Sequence, residues 1–429
     1  MLDFSKLNKN ELIWNAKKVG WRAFEVGAAA GMYLWGWFFP DPVILDGPGA
    51  IKRIPGALAE KGDSRPLIVT DPGLMKLHLV DGLLDQLKEE GIEYALYDET
   101  QANPTVENVE AALTLYRAKS CDCIIAVGGG SPMDCAKGVM ARVARPNMPV
   151  KKMKGVFKIA LPISKMNGYI PPRLYAVPTT AGTGSETTIA AVITDTQTHD
   201  KFPIMDPFIR ASFAVLDPEL TTGLPGGITA STGLDALTHA VEGYTNIWYN
   251  DKKFDTYGLE AIKLIFENLE TAYNDPKNLE ARANMLLASY KAGLCFTRGG
   301  VGYVHGIGHR LGGLYGVPHG LAMSVILPHV MSEELLGPYV YDKLAEIADY
   351  LGIKGASDED KAKAFVSEIR AMEERMGIPT GFTCIQEEDI PVIAERCLAE
   401  VMPTYPVKHI FTQAELEDFI RKNLIVEND

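Results

Sequence analysis

Asp235 and His239, then His305 and His319, with His309 between the last two, bring a carboxylate and four imidazoles into one stretch of the chain. A carboxylate and three imidazoles form an oxygen and nitrogen donor set that suits a divalent transition metal and leaves coordination positions for a substrate. Asp235 and His239 are four apart in the proline-free run Gly233-Leu-Asp-Ala-Leu-Thr-His-Ala-Val-Glu-Gly243. Helical periodicity puts both side chains on one face, with Cα atoms roughly 6 Å apart. His305 and His309 repeat the spacing in Val304-His-Gly-Ile-Gly-His-Arg310. His319 follows Pro318, a residue tolerated in the first turn of a helix, and is expected to open a new helix after a break at Gly312-Gly313. Three helix segments must therefore converge. A lone Asp-x3-His is a common accident on an exposed helix. Here three of the eight histidines fall within residues 305–319 among glycines and apolar residues, where an imidazole is costly without a ligand to organise it.

The elements that position these residues follow two grammars. Up to about residue 225, buried-strand runs alternate with helical patterns: Pro66–Thr70, Tyr94–Tyr97, Cys123–Val127 and Leu174–Val177, separated by segments such as Leu83–Glu90 and Val106–Lys119. That order predicts βαβ units around a mostly parallel sheet. From Gly227 the strand signal ends, and helices are expected near 229–247, 253–274, 278–296, 333–351, 358–376 and 387–401. The expected division is an extension over 1–38, an α/β domain over 39–226 and an all-helical domain over 227–429 that carries the metal donors.

Two loops occupy the carboxyl ends of predicted strands, where open α/β sheets bind ligands. Gly128-Gly-Gly-Ser-Pro-Met-Asp134 opens a helix, with Ser131 expected as N-cap and Pro132 at the first helical position. Its glycines let the backbone approach a phosphate, although the run is not Gly-x-Gly-x-x-Gly. Pro178-Thr-Thr-Ala-Gly-Thr-Gly-Ser-Glu186 supplies hydroxyls and amides fitted to a pyrophosphate or ribose. Asp71, at the end of the first of these strands, adds a carboxylate where a ribose would be held.

Composition narrows the function classes. The 429 residues are 47% hydrophobic and 23% charged, as in an ordinary globular protein, and the net charge of −13 argues against nucleic acid or anionic membrane as partner. Six cysteines form no disulfide-scaffold pattern, and Cys121-x-Cys123 lacks the second pair of a zinc ribbon, so a reducing cytoplasm is expected. The uncharged run Val26–Pro40 is too short to span a bilayer and carries Gly27, Gly31 and Gly36 together with Tyr33, Trp35, Trp37, Phe38 and Phe39. Residues 1–38 are read as docking on the domain or on a neighbouring subunit, with an amphipathic helix over 7–26.

From about Phe39 onward the chain resembles the iron-containing, or group III, alcohol dehydrogenases, related to glycerol dehydrogenase and dehydroquinate synthase. The carriers are Gly128–Asp134, Pro178–Glu186, Gly233–Gly243 and His305–His319 followed by Leu327-Pro-His329, in that order. The resemblance implies a Rossmann-like dinucleotide-binding α/β domain, a helical metal-binding domain of dehydroquinate synthase type, and a metal in the cleft between them. It implies Asp235, His239, His305 and His319 as ligands of ferrous iron or zinc, and His309 as a proton carrier near the nicotinamide. Gly129, Gly130, Ser131, Asp134, Thr179, Thr180 and Thr183 match cofactor-contacting positions, with Lys201 as a less securely aligned addition. An acidic residue at Asp71 favours NAD, because a carboxylate repels a 2′-phosphate.

The implied activity is reversible hydride transfer between a primary alcohol and NAD, in a homodimer or larger homo-oligomer. Ala190 and Ala191 stand where relatives often carry larger or polar residues, which implies a wider pocket. Lys151, Lys152, Lys154, Lys158 and Lys165 lie in the long connection 144–173, read as a solvated loop with room for an acidic substrate. The rival readings are a polyol dehydrogenase or cyclising lyase of the same fold, and a non-catalytic assembly protein. The intact donors and loops count against the last.

Overall fold

The structure, a computed structural model, describes residues 9–36, 40–156, 171–198, 200–247 and 251–426. Trp37, Phe38, Phe39, Lys158 and Lys165 lie outside the described residues, as do the side chains of Tyr33 and Trp35. In chain order the elements begin with α1 (Lys9–Gly36), β1 (Val43–Asp46), α2 (Ile54–Lys61), β2 (Pro66–Val69), α3 (Pro72–Lys76), α4 (Asp81–Glu89) and β3 (Ala95–Tyr97). They continue with α5 (Val106–Ala118), β4 (Cys123–Gly128), α6 (Gly130–Ala144), β5 (Gly155–Val156), β6 (Arg173–Pro178), β7 (Ala190–Asp195), β8 (Asp200–Met205) and β9 (Phe213–Leu216). The remaining helices are α7 (Gly226–Thr245), α8 (Lys252–Asn274), α9 (Leu279–Gly299), α10 (Tyr303–Tyr315), α11 (His319–Val330), α12 (Gly337–Leu351), α13 (Asp358–Arg375), α14 (Ile390–Val401) and α15 (Gln413–Asn423).

Six strands form one sheet in the order β1-β9-β6-β4-β2-β3, every neighbouring pair parallel. Its central strands read as unbroken apolar runs because both faces are covered. Leu67, Ile124, Ala126, Leu174 and Ala176 face a cluster with Val109, Leu113, Ala136 and Val139 of α5 and α6. The alternate residues Ile68, Ile125, Val127, Tyr175 and Val177 face Ile54, Leu58, Leu83 and Leu87 of α2 and α4. Successive side chains of a strand point to opposite faces, so a doubly covered sheet needs apolar residues at every position. A smaller sheet, β5-β8-β7, pairs β7 and β8 as an antiparallel ribbon.

After residue 226 the described chain is helical apart from one isolated bridge, Phe382 to Ile425. By packing the chain forms two compact units: Asp41–Ala236 with Leu264–Thr297, and Met1–Pro40 with Leu237–Lys263 and Arg298–Asp429. This is not a single cut at 226, because the stretch Leu264–Thr297 belongs to the sheet-bearing unit. Close packing explains it within that unit: a Cβ built on Gly293 of α9 would stand 2.1 Å from Thr187 Oγ1. No helix among the described residues is long and apolar enough to cross a membrane.

Candidate metal centre and cofactor loops

Three helices supply the histidines, as the spacing requires. Asp235 and His239 lie one turn apart on α7, His305 and His309 one turn apart on α10, and His319 is the first residue of α11 behind Pro318. The expected break at Gly312-Gly313 is not where α10 ends. The helix runs through both glycines to Tyr315 and stops at Gly316, whose φ of 69° lies in the left-handed region. A helix carries interior glycines at modest cost, whereas a left-handed C-cap terminates it.

One ligand atom from each of Asp235, His239, His305 and His319 lies within 4.8 Å of all the others. Asp235, His239 and His305 are buried, and His319 is exposed, so the group is enclosed on one side and open on the other. His239 Nε2 and His305 Nε2 are 3.0 Å apart. Two nitrogens at about 2.1 Å from one ion and at right angles to each other are separated by about 3 Å, so these rings are spaced as neighbouring ligands. The donor set, one carboxylate oxygen and three imidazole nitrogens, fits divalent iron or zinc.

The carboxylate that orients His305 is not among the residues expected from the sequence. Glu242 Oε2 accepts from His305 Nδ1 at 2.6 Å, and Glu242 Oε1 accepts the Val304 N–H at 2.8 Å. With Nδ1 carrying the proton, Nε2 presents its lone pair toward His239, an arrangement in which an outer carboxylate fixes the ring and raises its basicity. Burial pushes the Glu242 carboxyl up to about 7, against the pull of the Gly302 and Val304 amides and His239. Gly302 makes room for it, since a Cβ there would lie 2.8 Å from Glu242 Oε1. Glu242 lies three residues beyond His239 on the same helix face, which is a signal of sorts, but its partner is 63 positions away.

His309 belongs to the same group of rings without sharing the four-donor set. It stacks on His319 with ring centroids 5.4 Å apart and 19° between planes. Its Nδ1 is 2.6 Å from Glu400 Oε1, and Arg310 and the Tyr405 hydroxyl also bond that carboxylate. Burial opposes ionisation of Glu400, but the His309 and Arg310 charges and the hydrogen bonds outweigh it and hold the carboxyl down at about 2. His309 is a third exposed while Glu400 is more enclosed, so the imidazole has solvent on one side and a fixed anion on the other.

The loops form a different kind of site. Because β2, β4 and β6 are parallel neighbours, Asp71, the Gly128–Asp134 loop and the Pro178–Glu186 loop emerge side by side at the carboxyl ends of the strands. Asp71 caps α3, one oxygen accepting the Gly73 and Leu74 N–H groups at 2.8 and 3.0 Å. The second loop leans on the first: a Cβ on Gly129 would stand 3.4 Å from Thr180 Oγ1, and one on Gly130 3.4 Å from Thr183 Cγ2. Thr179 is buried and donates its N–H to the Gly128 carbonyl at 3.1 Å.

Helix α6 starts earlier than expected. Gly129, not Ser131, is its N-cap, and no side chain bonds the capping amides. A glycine cap leaves the first N–H groups for an incoming anion, whereas a serine cap would have satisfied one of them. Ser131 instead sits in the first turn and accepts the Asn103 N–H at 3.2 Å. Asn103, at a φ of 59°, also accepts from Lys201 Nζ at 2.9 Å, so it joins two residues expected at the cofactor. Its signal in the sequence was the Asn103-Pro104 turn after β3.

Behind the loops, Asp134 and Lys137 point inward. Asp134 accepts from the Ser185 hydroxyl at 3.2 Å and the Val192 N–H at 3.0 Å, and burial pushes its carboxyl up to about 6. Lys137 is fully buried, and its ammonium donates to Ser185 O, Ser185 Oγ, Thr188 Oγ1 and Ala190 O at 2.7, 3.0, 2.8 and 2.8 Å. Burial draws its pKa down to about 8 despite Asp134 and Glu186. One turn of α6 thus grips the second loop from beneath. A second acidic group, Asp63, Asp122 and Cys123, has a structural use: Arg173 and Tyr175 bond Asp63, and Ser64 and the Arg65 amide bond Asp122.

An α/β sheet with glycine- and threonine-rich loops, and helices that bring one carboxylate and three imidazoles together, give one chain a candidate nucleotide site and a candidate metal site. Residues 41–218 match the family described as iron-containing alcohol dehydrogenase, and residues 229–424 match its C-terminal family. The chain is 39% identical over 360 residues to a 1,3-propanediol dehydrogenase of Klebsiella pneumoniae, covering 82% of this chain and 90% of that one. It is 34% identical over 368 residues to an NAD-dependent methanol dehydrogenase of Bacillus methanolicus, covering 85% and 93%. The crystal structure of a 1,3-propanediol oxidoreductase superposes with a TM-score of 0.83 at 36% identity, over 90% of this chain and 99% of the other. The chain belongs to the iron-containing alcohol dehydrogenase family.

Proposed function

We propose that the protein is an NAD(H)-linked alcohol dehydrogenase and aldehyde reductase that uses divalent iron, with zinc as the alternative ion. The observation that carries this reading is the convergence of the Asp235, His239, His305 and His319 donor atoms within 4.8 Å, with Glu242 directing His305. These four residues would hold the ion, which when bound supplies Lewis acidity to the oxygen of an alcohol or carbonyl. The Gly128–Asp134 and Pro178–Glu186 loops would hold NAD, which would supply the hydride-accepting and, when reduced, hydride-donating chemistry.

The chain's own residues bind, orient and move the proton. Glu400, held ionised, keeps the proton of His309 on Nδ1, leaving Nε2 as the atom that accepts or returns the substrate proton. The exposed side of His309 passes it to water. The amides at the start of α6 and the Thr179, Thr180 and Thr183 hydroxyls are read as holding the pyrophosphate, with Gly129 and Gly130 allowing its approach. Asp71 and Lys201 are read as ribose-side contacts, and the Asp71 carboxylate selects against a 2′-phosphate. The curated relatives named for methanol and 1,3-propanediol support short alcohols as substrates. Six free cysteines fit a reducing cytoplasm, and a homo-oligomer is the assembly to test by sedimentation.

The test is a panel of alcohols with NAD and NADP, and of aldehydes with NADH and NADPH, after loading with ferrous iron or zinc. His305→Ala should lose bound metal and turnover together, a fall in rate of about a thousandfold or more for removal of the Lewis acid. Undiminished turnover by a metal-free variant overturns the mechanism.

A further inference from the structure

Helix α1 is the part of the chain that the family does not account for, since the family match begins at residue 41. Trp14, Lys18, Arg22 and Glu25 are spaced along one face of it. Glu25 is fully buried, while Val19 on the other side is 70% exposed and Phe24 53%. A free helix cannot bury a glutamate, so this face lies against protein.

Arg22 makes the contact. Its Nη1 pairs with Glu25 Oε2 at 2.8 Å, and its Nη2 donates to the Lys408 carbonyl at 3.0 Å. Lys408 belongs to the strap 403–411 that joins α14 to α15, and the strap crosses the start of α10. Pro406 O accepts the Ile247 N–H at 2.8 Å, just beyond α7. Tyr303, the first residue of α10, donates its hydroxyl proton to His409 O at 3.0 Å and accepts the Phe411 N–H at 3.2 Å. Tyr405 donates to Glu400 Oε1 at 2.7 Å, the carboxylate that holds His309. The packing is tight: a Cβ on Gly300 would lie 2.8 Å from Pro406 Cδ. Two residues past Tyr303 comes His305. The strap therefore braces both the first turn of the histidine-bearing helix and the anion behind His309.

We propose that α1 is a clamp on this strap, with Arg22 as the positioning residue: anchored by Glu25, it fixes the Lys408 carbonyl and so steadies Tyr303 and Glu400 behind His305 and His309. The catalytic half of this proposal rests on the reading of His309 as proton carrier. The mechanical half does not.

Arg22→Glu in the full chain would set a carboxylate against a carbonyl and Glu25; Arg22→Ala is the milder variant if the first does not fold, and Arg22→Lys keeps the cation and a donor. Hydrogen exchange at the Ile247 and Phe411 amides should accelerate by about tenfold in Arg22→Glu, the size of one lost charge-assisted bond, with the Thr179 and Thr187 amides of the cofactor loops unchanged. Turnover should fall severalfold at constant KM for NAD, and Arg22→Lys should recover most of both effects. Unchanged exchange at Ile247 and Phe411 overturns the clamp. Accelerated exchange with unchanged kcat overturns its link to the catalytic residues. A wild-type protein that turns over no alcohol fails the functional reading alone, because the exchange measurement still decides the clamp.

Discussion

The histidine-bearing helices and the two loops proposed to hold NAD solve the same problem, holding polar groups ready for a ligand, by opposite means. Around His305 and His309 the support comes from carboxyl groups: Glu242 and Glu400 each sit 2.6 Å from an imidazole nitrogen and set which nitrogen carries the proton. Around the second loop it comes from a buried cation, Lys137, whose four bonds go to two carbonyls and two hydroxyls between Ser185 and Ala190. The difference follows from what each site must receive. A cation site needs neutral, directed lone pairs, which neighbouring carboxylates provide by accepting a hydrogen bond from the other ring N–H. An anion site needs free N–H groups and hydroxyls, and it gains from a support that adds no negative charge at the surface.

The largest effect that separates the two regions is expected from Glu242→Ala. Without its acceptor, His305 loses both orientation and tautomer, and metal affinity should fall about 10- to 100-fold, as for other supporting carboxylates. Equilibrium dialysis against ferrous iron or zinc measures it, with NADH binding by fluorescence as the control that should not move. Equal losses of metal and NADH affinity would mean that the regions do not have separate supports.

The reciprocal change is Lys137→Met, which keeps the length and removes the charge. It leaves the Ser185 and Ala190 carbonyls buried with a donor missing, at about 1–3 kcal/mol for each unsatisfied group, and takes from Asp134 its neighbouring positive charge. The second loop should loosen, with NADH affinity about tenfold weaker, a lower Tm and full metal content. An unchanged NADH affinity in a variant that keeps its fold would make Lys137 a core residue with no part in the cofactor site.

The two supports also differ in how far they were visible in the sequence. Asp235, His239, His305 and His319 were legible because an Asp-x3-His pair and three histidines within residues 305–319 rarely occur together by chance. Glu242 and Glu400 were not, since carboxylates are ordinary on helices and Glu400 acts on a ring 91 positions away. The parallel sheet was legible where strands are buried on both faces, as in Cys123–Val127. It was hidden where they are short or exposed: β1 begins with Val43 at 52% exposure, and β7 alternates buried and open positions beside an antiparallel partner. The start of α6 was misplaced because a serine is the stronger capping residue, while the structure uses Gly129 and leaves the amides open. Lys137 gave no signal, because a lysine on a predicted helix reads as solvated until its burial is seen.

Proton linkage sharpens the comparison at the smallest scale. Glu400 is held down at about 2, below the ordinary 4.5, so its contribution is present above pH 4.5 and lost as pH falls toward 2. Glu186, at the end of the second loop, shifts the other way: burial pushes it up to about 7, outweighing its own backbone amide and Lys137. A raised carboxyl favours the protonated folded form, so that contribution is full below pH 4.5 and is lost as pH rises through 7. Glu186→Gln, neutral throughout, escapes the loss. Its stability relative to wild type should be flat below pH 4.5 and rise between 4.5 and 7 by up to about 3.5 kcal/mol, on a scale of about 1.4 kcal/mol per pKa unit. Calorimetric Tm values of both proteins from pH 4 to 8.5 measure the difference. A constant gap across that range would place the Glu186 carboxyl at an ordinary pKa, and the loop region would then carry no proton linkage through it to set against that of Glu400.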